Sequence, residues 1–312
     1  MKPVPLLALG LVVAAPLALA PDARAQESFA PQPDPAIKLP GLTSYAPSTS
    51  SDTNPVNLRE VHVEARLTEA SEPMRQGLTW RIFSPIPGPD GKLPMLASSE
   101  GGSTTFELAP GEYFVHVAFG RAGVTKKLVV PAGGPVEKQT LVLDAGGLVL
   151  NAVSGSDMRI PASKLTFEIY KADDSIDVEQ QQLVARDVKP NTIVRLNSGT
   201  YHIVSNYGHV NAVIRSDIRV EAGKLTEAVI QHRAAQVTLK LVSEPGGEAI
   251  ADTGWSILTS AGDVVSESVG AFPTIVLAEG QYTAVARNKD KIYQRDFEVV
   301  AGHDGDVEVL LR

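Results

Sequence analysis

Residues able to do chemistry are few in this chain, and they are scattered. It has six histidines and no cysteine. A serine nucleophile needs a histidine and a carboxylate gathered around it, yet Gly-x-Ser-x-Gly is absent and the serines sit in an N-terminal stretch and in turns. Zinc would be announced by close histidine pairs on one face of an element. The nearest candidates are His202 with His209, seven residues apart, and His62 with Glu64, two apart. Odd spacing sends His202 and His209 to opposite faces of a regular strand, so solvated histidines on a sheet face are the better reading for both sets.

Calcium prefers loops dense in carboxylates. Asp173, Asp174, Asp177 and Glu179 form one such cluster, and Asp304 with Asp306 a smaller one. Neither has the Asp-x-Asp-x-Asp spacing, glycine and distal glutamate of a dedicated loop. A solvated hairpin tip fits the first cluster better, with calcium as its rival. The sequence thus assigns no catalytic, cofactor-binding or metal residue, no cofactor, and no enzymatic activity. Two aromatics stand apart: Phe114, opposite in face to Tyr113, and Tyr293 beside Lys289, Lys291 and Arg295, a small contact patch or an ordinary charged loop.

What the sequence does specify is a scaffold, and it specifies it three times. Leu108–Tyr113 reads LAPGEY, Leu196–Tyr201 reads LNSGTY and Leu277–Tyr282 reads LAEGQY, with the glycines 88 and 81 residues apart. A period of that size is one small domain per repeat. Each unit opens on an apolar or alternating strand at Val61–Leu67, Leu148–Val153 or Val237–Val242. An aromatic strand follows, placing Trp80, Phe167 and Trp255 in register, and register of that kind means core packing. Turn residues then signal a hairpin. After the signature phrase Tyr113, Val115, Val117 and Phe119 alternate onto one face, as do Tyr201, Ile203 and Tyr207, and Tyr282, Ala284 and Ala286; that face is the expected core. Two more strands, separated by turns at Gly133, Gly223 and Gly302, close each unit. Seven short strands without a helical pattern predict an all-β chain of three tandem antiparallel β-sandwiches, at 58–146, 147–234 and 235–312, with junctions short enough to make a stiff, elongated rod.

The N-terminal part reads differently. Lys2, an apolar run from Leu6 to Ala20 and the Ala23-Arg24-Ala25 site describe a signal peptide over 1–25, cleaved before Gln26. Residues 26–57 are rich in proline, serine and threonine and predict a disordered leader. The net charge is −8 for the chain, and −9 once Lys2, Asp22 and Arg24 are removed. Such acidity argues against a nucleic-acid or anionic-membrane partner, whose phosphates demand basic surface. No further segment is long and apolar enough for a membrane span.

The phrase Leu-x-x-Gly-x-Tyr entering an alternating strand, followed by a Val-x-Ala-Gly turn and a closing strand, resembles the carboxypeptidase regulatory-like, prealbumin-like domains over about residues 58–312. That resemblance implies an immunoglobulin-like sandwich whose framework is Gly111, Tyr113, Gly199, Tyr201, Gly280 and Tyr282. Similar repeats lie beside von Willebrand A domains in exported bacterial proteins. Here the nearest adhesion-like run, Asp173-Asp174-Ser175-Ile176-Asp177, departs at its last serine. The expectation is an exported, periplasmic or extracellular, non-enzymatic module that is structural or binds an envelope protein. The alternatives are a glycan- or peptide-binding module and, less favoured, an enzyme with a spatially assembled site.

Overall fold

The computed structural model describes residues 57–172 and 182–312. The signal peptide, nearly all of the leader and the Asp173/Asp174/Asp177/Glu179 cluster lie outside the described residues. Strands β1 (Arg59–Arg66), β2 (Leu78–Phe83), β3 (Met95–Gly101), β4 (Thr104–Leu108), β5 (Gly111–Phe119), β6 (Ala122–Val130) and β7 (Gln139–Val142) build the first sandwich. The second uses β8 (Ala145–Ser154), β9 (Met158–Arg159), β10 (Leu165–Lys171), β11 (Leu183–Val188), β12 (Val194–Asn197), β13 (Gly199–Tyr207), β14 (Val213–Val220) and β15 (Leu225–His232). The third comprises β16 (Ala234–Val242), β17 (Thr253–Thr259), β18 (Val264–Val269), β19 (Thr274–Ala278), β20 (Gly280–Asn288), β21 (Lys291–Val299) and β22 (Gly305–Leu310). The described residues contain no α-helix.

Each sandwich pairs a four-stranded, wholly antiparallel sheet with a second sheet, which has three strands in the first and third sandwiches and four in the second. The antiparallel sheets run β3-β2-β5-β6, β11-β10-β13-β14 and β18-β17-β20-β21. The second sheets run β4-β1-β7, β12-β8-β15 with β9 also paired to β8, and β19-β16-β22. In them the expected antiparallel pairing holds on one side only: β1 with β7, β8 with β15 and β16 with β22 are parallel. Alternation tells which face a residue occupies but not the direction of its neighbour, which is why the parallel pair was invisible in the sequence.

Period-2 burial produces three cores. Trp80, Phe167 and Trp255 are 0%, 0% and 2% exposed, so the aligned aromatics are core residues as their register required. The indoles also satisfy their one donor, Trp80 Nε1 to the Gly102 carbonyl at 2.8 Å and Trp255 Nε1 to that of Gly270 at 2.9 Å. The signature leucines Leu108, Leu196 and Leu277 are buried. Large apolar side chains of this kind contribute about 1.5–3 kcal/mol each on burial.

The signature phrase has a specific job. Gly111, Gly199 and Gly280 have φ of 157°, 146° and 156°, open to glycine and strained for other residues. That bend swings the tyrosine two residues later back over the phrase. Tyr113, Tyr201 and Tyr282 each donate their hydroxyl to the carbonyl four residues upstream, at Ala109, Asn197 and Ala278, every time at 2.9 Å. This is a tyrosine corner, which pins the start of a core strand to the loop before it. Tyr201 and Tyr282 are buried, while Tyr113 is half-buried.

Candidate functional site: the joints between sandwiches

The residues singled out for chemistry are placed apart. His202 lies on the outer face of its sheet and contacts Asp217 at 2.7 Å, whereas His209 is exposed in the loop beyond β13. His62 bonds Thr105 at 2.7 Å and does not reach Glu64. Glu64, 5% exposed, is instead occupied by Lys138 at 2.8 Å, Thr140 at 3.0 Å and Arg66 at 3.3 Å. Lys138 is the main cause holding its carboxyl below the usual range, against the opposing effect of burial. Asp304 accepts from the Gln236 amide at 2.8 Å and Asp306 pairs with Lys240, so each acid is held by its own partner. Among the described residues, no three acidic or histidine side chains converge as a metal-binding group. Tyr293 packs against the third core, and Arg295 caps the Glu308 carbonyl at 2.6 Å, so the basic run does not form one patch with its aromatic.

One serine and histidine do meet. Ser205 Oγ and His232 Nε2 are 2.8 Å apart, at 0% and 1% exposure, with Tyr207 edge-on to the imidazole. Burial depresses the His232 pKa to about 4. No carboxylate bonds His232 among the described residues, and no substrate reaches a pair buried this deeply. It is a core contact, with Ser205 set on the buried face by the alternation of β13.

Where polar groups do concentrate with purpose is between sandwiches, and the two joints follow one plan. The β5–β6 hairpin turns at Gly120 (φ 66°), where an added Cβ would stand 2.9 Å from Cβ of Arg195. The β13–β14 hairpin turns at Gly208 (φ 71°), where a Cβ would stand 2.8 Å from Cβ of Val276. Arg195 and Val276 are equivalent, each preceding the signature leucine of the following repeat. A second contact comes from the closing turn. Gly223 (φ 72°) donates to the Ala145 carbonyl at 2.8 Å and lies against Thr68; Gly302 (φ 74°) donates to that of Ala234 at 2.9 Å and lies against Ser154 and Gly155. In the first sandwich this turn is longer, and its left-handed glycine is Gly134 (φ 78°), not Gly133.

Each joint is then locked by one asparagine, supplied from opposite sides. Asn197 reaches back from the second sandwich, donating to the Leu143 and Gly123 carbonyls at 2.7 and 3.2 Å and accepting from the Gly123 amide at 3.1 Å. Asn211 reaches forward, accepting from the Ala278 amide at 2.9 Å and donating to the Tyr282 hydroxyl at 2.9 Å. Around the first joint the Arg195 guanidinium stacks 4.6 Å over Phe119, a cation–π contact. At the second, Arg233 pairs with Glu279 at 2.6 Å, and Val276 of the third sandwich is built into the core of the second. The signal for these joints was present in the sequence: Gly120 and Gly208 each follow the signature glycine by nine residues.

Residues 236–311 match a family described as the Rhizobiales growth-associated tandem repeat domain. No curated protein sequence matches the chain. Among solved structures it is similar to a streptococcal ancillary pilin, with 11% identity, 82% of this chain and 99% of the other covered, and a TM-score of 0.26. It is similar also to the major pilin subunit of Bacillus cereus, with 10% identity, 82% and 100% covered, and a TM-score of 0.21. The Bacillus anthracis TIE protein aligns at 17% identity over 81% of this chain, with a TM-score of 0.25, and the chain spans about half of that protein's length. At such scores these neighbours assign no function.

Proposed function

We propose that the chain is an exported, non-enzymatic structural module of the bacterial cell envelope, a short array whose sandwiches are held at fixed angles and which meets envelope proteins through its outer sheet faces. The observation that carries this reading is the repetition of one joint, glycine tip, closing-turn glycine and asparagine lock, at both internal boundaries. Sandwiches that only shared a chain would not need the same closely fitted contact twice. The signal-peptide pattern supports export, and the sandwich boundaries near 146 and 234 belong to the same reading. So does the carboxypeptidase regulatory-like resemblance, whose framework glycines and tyrosines make the three corners.

A second reading, peptide or glycan binding, is favoured by one feature. On the outer face of the third sandwich a groove is lined by Gly254, Val269, Val285, Arg287 and Ile292. Val269 and Ile292 are 81% and 68% exposed, unusual for such side chains.

Crosslinking of the tagged protein in living cells separates these readings. Reproducible capture of an envelope protein through outer-face residues is the expected result. Retention on wall polymer that is lost in Ile292→Ser favours the groove, and a hydrolase or transferase activity that survives repurification overturns both.

A further inference from the structure

The joint has three possible donors along the chain, and only two of them are glycine. Counting nine residues from each signature glycine gives Gly120, Gly208 and Lys289. All three adopt the left-handed conformation, with φ of 66°, 71° and 54°. A lysine takes that conformation at a cost that glycine avoids. The third hairpin therefore has the backbone of a joint tip and a side chain that a joint tip cannot carry.

We infer that Lys289 is a stacking stop: it prevents the β20–β21 hairpin from docking the first sandwich of a second copy. At the two working joints an added Cβ would lie within 3.0 Å of the Cβ of Arg195 or Val276. Those neighbours are side-chain roots rather than flexible ends, so they cannot move aside without shifting their strand. Lys289 places a Cβ and four further heavy atoms there. The adjoining position agrees: Gly123, which the Asn197 side chain covers at the first joint, corresponds to Ile292, which is exposed. On a second copy the receiving position is Glu107, the residue before Leu108, exposed on the edge strand β4. Its charge would attract Lys289, so the barrier to chain-end stacking is steric rather than electrostatic. The inference concerns joint geometry alone and stands or falls apart from the envelope reading.

Installing the same side chain in a working joint tests it. In the full chain, Gly208→Lys is expected to speed hydrogen exchange at the Ala278 amide, which Asn211 protects, by about tenfold or more while core amides of β13 and β20 keep their protection. Gly262→Lys supplies a control, since Gly262 is left-handed (φ 91°) with nothing within 4 Å of an added Cβ. If Gly208→Lys unfolds its sandwich, Gly208→Ala carries the clash alone and should give the same local loosening. Unchanged Ala278 protection in either folded variant overturns the inference. Because the chain lacks cysteine, engineered pairs report docking directly. Arg121→Cys with Arg195→Cys should form an intrachain disulfide across the first joint, where the Arg121 amide donates to the Arg195 carbonyl at 3.0 Å. The equivalent pair between copies, Asp290→Cys with Glu107→Cys, should leave monomers, and a disulfide ladder would overturn the stop.

Discussion

The side-chain amide of Asn211 donates to the Tyr282 hydroxyl at 2.9 Å, and that hydroxyl in turn donates to the Ala278 carbonyl at 2.9 Å. A corner that fixes one strand inside the third sandwich is thereby extended into the second. Fold framework and joint share an atom.

Asn211→Ala should loosen the joint while leaving both sandwiches folded. It removes two hydrogen bonds, one to a backbone amide that is then unpaired, at a cost of about 1–3 kcal/mol. Calorimetry that shows one merged transition in the parent and two resolved transitions in the variant is the expected outcome, with Asn197→Ala acting in the same way at the first joint.

The tyrosines should rank by burial. Tyr201→Ala and Tyr282→Ala remove aromatics that are 5% and 6% exposed and should cost about 3–5 kcal/mol each. Tyr113→Ala, at a half-buried position, should cost less. Tyr→Phe at all three positions isolates the corner bond, worth about 1 kcal/mol, and Tyr282→Phe should exceed Tyr113→Phe because it also loses Asn211. Denaturant titration of each variant checks the order.

Stability should fall on mild acidification. The imidazole of His232 is kept neutral by burial, with a pKa of about 4 against 6.5 when unfolded. Its contribution is complete above pH 6.5 and is lost as the pH falls from there towards 4, since the unfolded chain takes up the proton first. Between pH 7 and 5 the loss is about 2 kcal/mol. His116 is depressed in the same direction by burial and by Arg81, so the parent slope belongs to both. His232→Gln should flatten most of that slope in urea titrations at the two pH values. Glu64 acts lower: its depressed carboxyl stabilises above pH 4.5 and loses that contribution as the pH falls below it.

Glu64→Ala should destabilise the first sandwich, because Thr140 and the partly exposed Arg66 lose the carboxylate they share, while Lys138, 57% exposed, returns to water. Arg66 Nε, already without a partner, and Thr140 would lose further satisfaction. The effect should appear in calorimetry as a lower midpoint of the merged unfolding transition.

Much of the fold was legible because burial leaves a periodic trace. Trp80, Phe167 and Trp255 aligned, the tyrosine strands alternated, and the core followed. Pairing direction leaves no such trace, so the parallel neighbours β1 and β7 were not foreseen. Nor were the buried anchors: His232 sits on a core face, where a lone polar residue looks like an interruption, and Glu64 sits on the outer face of β1, where an acid looks solvated, until Ser205 and Lys138 arrive from 27 and 74 residues away. The joints were half legible. Gly120 and Gly208 recur at constant offset, but the two asparagines come from non-equivalent positions, and only the packed structure shows that they do the same work.

The parallel pairing of first and last strands also sets how the molecule responds when pulled. The chain enters each sandwich along one strand of that pair and leaves along the other, so tension applied at the two ends drags the strands past each other. All the rungs between them are strained at once, as in a lap joint, instead of parting singly like a zip. The overlap is eight residue pairs in the second sandwich, six in the third and four in the first. Under stretch the first sandwich is therefore the fuse, yielding before its neighbours and lengthening the molecule while they hold.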